Sequence, residues 1–123
     1  MRVREIFCGL LLAGAVWPLL AGEAMTMKVS PEVAFAPANL FVRASIEADD
    51  QNRALEVVLD SPDFYRSSLI ALDGERAPRT TVFELRSVPR GVYVVTTRLL
   101  GPSGQTRSSV RRMVNVISTS GPR

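Results

Sequence analysis

No histidine occurs anywhere in the 123 residues, and the single cysteine, Cys8, lies close to the start. The commonest general base and metal ligand is therefore missing. For nucleophilic chemistry there remains Lys28 with Ser30, two residues apart and so on one face of a strand. That pair could mimic a Ser-Lys dyad. Nothing nearby reads as an oxyanion hole, however, and a lysine on an edge strand ordinarily guards against unwanted strand pairing. Acidic pairs come next: Asp60 and Asp63 bracket Ser61-Pro62, and Asp49-Asp50 share a loop. Two carboxylates about 5–9 Å apart could hydrolyse a glycoside, and with backbone oxygens they could hold calcium. Neither run has the alternating Asp-x-Asp-x-Asp-Gly spacing, so both read first as turn aspartates that bond their own backbone. Phosphate loops, zinc spacings and dinucleotide fingerprints are absent. The expectation is a chain that is not an enzyme, with no catalytic residue, no metal and no cofactor.

Side chains suited to touching another molecule are easier to find. Phe64-Tyr65 follows Ser61-Pro62-Asp63 at a strand junction. There an aromatic pair could stack on a sugar, anchor a protein partner, or simply lid the domain. Arg98, Arg107, Arg111 and Arg112 would converge on one outer sheet face if the last two strands pair. Such a face could grip an anionic glycan, a phosphate-bearing polymer or an acidic protein, because guanidinium forks bind carboxylates and phosphates bidentately. The alternative is a solvated face. The net charge of +3 describes solubility and steering rather than a partner. Nucleic acid is not expected of an exported chain without interleaved surface aromatics.

The elements that must position these residues are strands. Residues 1–24 look like a secretory signal peptide: Arg2 and Arg4, an apolar run from Ile6 to Ala21, then small Gly22 and Ala24. At ~1.5 Å rise per residue that run is too short for a hydrocarbon core of about 30 Å, and Pro18 interrupts it. Membrane contact is expected only if this segment is uncleaved. Residues 25–118 then form one domain, and 119–123 a disordered tail. With the only cysteine in the leader, the domain must be held by its core alone.

Seven runs alternate apolar and polar with period two. They begin with Met25 to Val29 and Leu40 to Ala48. Leu55, Val57 and Leu59 mark the inward side of the third, and Ser67 to Leu72 is the fourth. Thr80 to Arg86 points Thr81, Phe83 and Leu85 inward. Val92 to Leu100 does the same with Tyr93, Val95, Thr97 and Leu99. In the last, Thr106 to Ile117, Arg112 falls in the inward phase, so either it reaches along the sheet to solvent or a bulge shifts the register there. A bulge is the expectation. No stretch after Ala24 has helical periodicity. The fold class is all-β, a seven-stranded antiparallel sandwich.

Val88-Pro89-Arg90-Gly91-Val92-Tyr93 carries a family resemblance. The chain resembles the immunoglobulin-like and fibronectin type III-like β-sandwich domains of secreted bacterial proteins, which often show Leu-x-Pro-Gly-x-Tyr at the start of the penultimate strand. Val88 stands where leucine is usual. The resemblance implies a tyrosine corner in which Tyr93 packs inward and its hydroxyl bonds backbone upstream. It covers Met25 to Ile117 and speaks to fold, since unrelated functions share the architecture. The absence of a cysteine pair and of a core tryptophan sets the chain apart from antibody-type domains.

The expected function is an exported, periplasmic or extracellular, non-catalytic binding or structural module that contacts a protein of the cell envelope. The alternative is a carbohydrate-binding module for an extracellular glycan, using Phe64 and Tyr65.

Overall fold

Eight strands and one 3-10 turn make up the computed structural model, which describes residues 24–118. The expected signal peptide, apart from Ala24, and the C-terminal tail fall outside the described residues. The strands are β1 (Met25–Ser30), β2 (Val33–Phe35), β3 (Ala38–Ile46), β4 (Ala54–Ser61), β5 (Phe64–Ala71), β6 (Thr80–Val88), β7 (Gly91–Leu100) and β8 (Thr106–Ile117). They form a three-stranded sheet in the order β1-β3-β6 and a five-stranded sheet in the order β2-β8-β7-β4-β5. The all-β sandwich class is as expected; the strand count is eight among the described residues rather than seven.

The additional strand is β2, which pairs in parallel with β8 from Val33–Asn115 to Phe35–Ile117. The sandwich is therefore not wholly antiparallel. β2 lies between two prolines, Pro31 and Pro37, and its three residues are too few to establish a period, so a period-two search passes over it.

Alternation decides the core. Met25, Met27 and Val29 of β1 and Leu40, Val42, Ala44 and Ile46 of β3 turn to the interior, against Leu55, Val57 and Leu59 of β4. Tyr93, Val95, Thr97 and Leu99 of β7 fill the centre. Each full burial of such an aliphatic side chain contributes roughly 1.5–3 kcal/mol, and with one cysteine in the whole chain no internal disulfide can add to it. Thr97 is completely buried, and its hydroxyl donates to the Met27 thioether across the sandwich, 2.8 Å away. A buried polar group needs such a partner.

The register of β8 differs from expectation. Arg112 stays opposite Val95 with no irregularity, and the ladder shifts instead between Leu99 and Leu100, where Ser108 and Thr106 are successive partners. The extra residue is Arg107. Arg112 keeps the inward phase and is nonetheless exposed. The five-stranded sheet is wider than the three-stranded sheet that covers it, so its inward side is not capped everywhere.

Candidate binding face

The segment that seats β7 is a tight corner. Val88 and Tyr93 are completely buried, and the Tyr93 hydroxyl donates to the Pro89 carbonyl at 2.7 Å. Between them Gly91 has a φ of +154°, a backbone region that side chains rarely adopt, with the Tyr93 ring packed against it. Burial pushes the Tyr93 phenol above its ordinary pKa, so the group remains a donor.

Phe64 and Tyr65 do not act as a pair. Both sit in β5, where neighbours point to opposite faces. Phe64 turns inward, edge-on to Tyr93 with ring centroids 6.0 Å apart, and the Arg66 guanidinium lies 5.0 Å above its ring. It closes one end of the core and is only partly exposed. Tyr65 faces outward and is 62% exposed.

The arginines divide in the same way. Arg98 and Arg111 rise from the outer face of the five-stranded sheet, opposite Ser109 and Thr96 respectively. Arg98 is engaged by Glu56 on the adjacent strand, 2.8 Å from its terminal nitrogen, in a partly exposed pair. Arg112 faces the other way and donates to the Arg111 carbonyl at 2.8 Å. Arg107 is structural. As the extra residue of β8 it reaches back to the turn before β4, donating to the Asn52 side-chain oxygen and to Asp49 at 3.2 Å. Asn52 is completely buried and also donates to the Glu47 carbonyl at 3.0 Å. The Asp49 carboxyl is held below its ordinary pKa, first by the Gln51 backbone N–H and also by Arg107. Asp49 is thus a turn aspartate held by the chain's own backbone, whereas Asp60, expected in a turn as well, lies within β4 opposite Tyr65.

Arg107→Ala should therefore cost stability rather than binding. It strips the buried Asn52 oxygen of its donor, a loss of about 1–3 kcal/mol; the exposed ion pair with Asp49 adds little. Urea unfolding followed by circular dichroism would show a lower midpoint at an unchanged slope.

Three of the six expected binding residues thus meet on one surface. Tyr65, Arg98 and Arg111 line a shallow groove of about 510 Å³ on the outer face of the five-stranded sheet, with Val58, Asp60, Val94, Thr96 and Ser109. Beside the groove the same face carries exposed apolar side chains. Val92 and Met113 stand beside it at mid-sheet, Leu69 lies along β5, and Val33, Phe35 and Ile117 extend it over β2 and the end of β8. These residues carry the outward phase of their strands, a signal present in the sequence but unread, because exposed apolar positions look like ordinary strand formers until the face is assembled.

No family model and no curated protein matches the chain. Solved structures do. A superoxide reductase (neelaredoxin) from Ignicoccus hospitalis aligns at a TM-score of 0.55 and 17% identity, over 76% of this chain and 80% of that one. A family 76 glycoside hydrolase from a bovine Bacteroides thetaiotaomicron strain aligns at 0.55 and 16%, over 79% of this chain and only 21% of the hydrolase. The sulfur carrier protein SoxY from Chlorobium limicola f thiosulfatophilum gives 0.53 and 14%, over 76% and 78%. The likeness is one of fold. Proteins of such different description share this small β domain, so its activity must be argued from its own side chains.

Proposed function

We propose that this chain is an exported, non-catalytic binding module of the immunoglobulin-like class found in secreted bacterial proteins. Its partner is a protein of the cell envelope, docked on the outer face of the five-stranded sheet. One observation carries the reading: of the nine exposed large apolar side chains among the described residues, seven lie on that face and two, Phe41 and Val82, on the opposite sheet. Exposed apolar side chains gathered on one face, here Val92, Met113, Val33, Phe35 and Ile117 with Leu69 set apart opposite Glu56, mark contact sites on soluble domains. The charges there are few and balanced, Arg98 against Glu56 and Arg111 near Asp60, which suits a protein surface better than a polyanion. Export rests on the basic, apolar and small-residue regions of residues 1–24.

A photo-crosslinking residue at Met113 should trap one envelope protein in living cells, whereas the same residue at Phe41 should trap none. Equal adducts from both positions, or none from either, would remove the reading. The groove beside Tyr65 favours a second one, carbohydrate binding, because an exposed ring flanked by Asp60, Thr96, Ser109 and Arg111 offers a stacking platform and polar partners. Under that reading Tyr65→Ala abolishes retention on a glycan column while the fold is kept.

A further inference from the structure

Each sheet has two edges, and three of the four are guarded. The β1 edge carries Lys28. The β6 edge carries Glu84 and Arg86 and leaves its ladder at Ser87, where φ is +56°. On the fourth side of the sandwich, β2 covers only the last three residues of β8, and the uncovered length presents Arg111 and Arg112. Charges and bulges of this kind discourage a second chain from adding to the sheet. β5 has neither. Its eight residues pair without irregularity to β4, and its only charge, Arg66, is folded inward over Phe64 and donates to the Arg86 carbonyl at 2.8 Å.

The phase of the open edge is set by the ladder. Leu72 donates its backbone N–H to the Arg53 carbonyl at 2.8 Å, and Phe64 and Ser61 close the hairpin around the two-residue turn Pro62–Asp63. The even-numbered residues of β5 thus direct their backbone groups toward β4. Tyr65, Ser67, Leu69 and Ala71 direct theirs away from the sheet, where among the described residues no strand lies.

We infer that this edge pairs antiparallel with β5 of a second copy of the chain, about a twofold axis through Ser67, to give a continuous ten-stranded sheet. An axis perpendicular to the sheet keeps each residue on its own face, so partners must share parity. Centring on Ser67 sets Tyr65 opposite Leu69 twice on the outer face, and Phe64 opposite Ile70 and Arg66 opposite Ser68 on the inner face. Apolar meets apolar, polar meets polar, and the central and flanking pairs are the ones with outward backbone groups. Moving the centre to Arg66 sets like charges against each other, which destabilises a ladder, and moving it to Ser68 sets Arg66 against Ile70 and Leu69 against Ser67. The twofold is the isologous arrangement expected of most homodimers. The inference concerns an edge and stands apart from docking on the face.

Sedimentation equilibrium of the full chain with Cys8 replaced by serine should show a concentration-dependent dimer. Ser67→Pro removes an outward amide donor without touching the β4 ladder, and should weaken the dimer by roughly tenfold or more at an unchanged melting temperature. Ser67→Cys should form an intermolecular disulfide on mild oxidation, since a hydrogen-bonded antiparallel pair holds its Cα atoms about 5.5 Å apart. Ser68→Cys should not. A chain that stays monomeric at every concentration, a dimer indifferent to Ser67→Pro, or a Ser68→Cys protein that crosslinks as readily as Ser67→Cys would each overturn the pairing.

Discussion

Tyr93→Ala should remove a large part of the domain's stability and lower its melting temperature steeply, whereas Tyr93→Phe should leave it only slightly weakened. The ring is completely buried at the centre of β7, and Phe64 stands edge-on against it. Truncating a buried aromatic to alanine costs about 3–5 kcal/mol, because the lost transfer energy is joined by the cavity left behind. A domain of this size has roughly 5–15 kcal/mol in total, and this one has no disulfide to narrow its unfolded state. The phenylalanine variant keeps the ring and loses only the bond to the Pro89 carbonyl. The orphaned acceptor lies at a corner that water can reach, so a cost of about 1 kcal/mol is expected. Thermal melts followed by circular dichroism separate the two. A Tyr93→Ala melt within a few degrees of wild type would mean that the corner does not organise this core.

The same corner shows why so much of the fold was legible. Period two over nine or ten residues can be satisfied only by a half-buried strand, and β3, β6 and β7 each bury the phase their apolar residues occupy. Val88, Pro89, Gly91 and Tyr93 lie within six residues, so local chain geometry fixes their relation before any tertiary contact forms. β2 was invisible for the opposite reason. Three residues between prolines have too little length for a period, and their partner Asn115 is far along the chain. The shift at Arg107 was hidden as well. A bulge moves the phase of the residues beyond it, and because this one precedes Val110, Val114 and Val116 all three keep a single phase and leave no mark of it.

The candidate site was legible only in pieces. Tyr65, Arg98 and Arg111 were found by residue type, and the sheet brings them together. Phe64 and Tyr65 suggest a patch because they are adjacent, although in a strand adjacency means opposite faces. Arg107 was drawn into the same group by its neighbours, yet the bulge turns it toward Asn52. What no local pattern could supply was the order β2-β8-β7-β4-β5. Only that order gathers Val33, Val92, Met113 and Leu69, which come from four separate strands, on one face.

The second large effect expected is on that surface. Val92→Asp combined with Met113→Asp should weaken capture of the protein trapped at Met113 by roughly a hundredfold, the scale of losing a central apolar contact and burying charge in its place. The two side chains sit diagonally on β7 and β8, since Val94 is the residue directly opposite Met113, and diagonal neighbours act as one contact area. They are 56% and 60% exposed, so the substitutions remove little that the fold depends on and the melting temperature should hold. Val82→Asp is the matched control: equally apolar and 56% exposed, but on the outer face of the other sheet. Biolayer interferometry of the three proteins against the trapped partner decides the matter. If the double variant binds like wild type, or if Val82→Asp loses binding equally, the partner does not rest on the five-stranded sheet. If the double variant alone fails, the apolar face is the contact, and its balanced charges predict that moderate salt will change the affinity little.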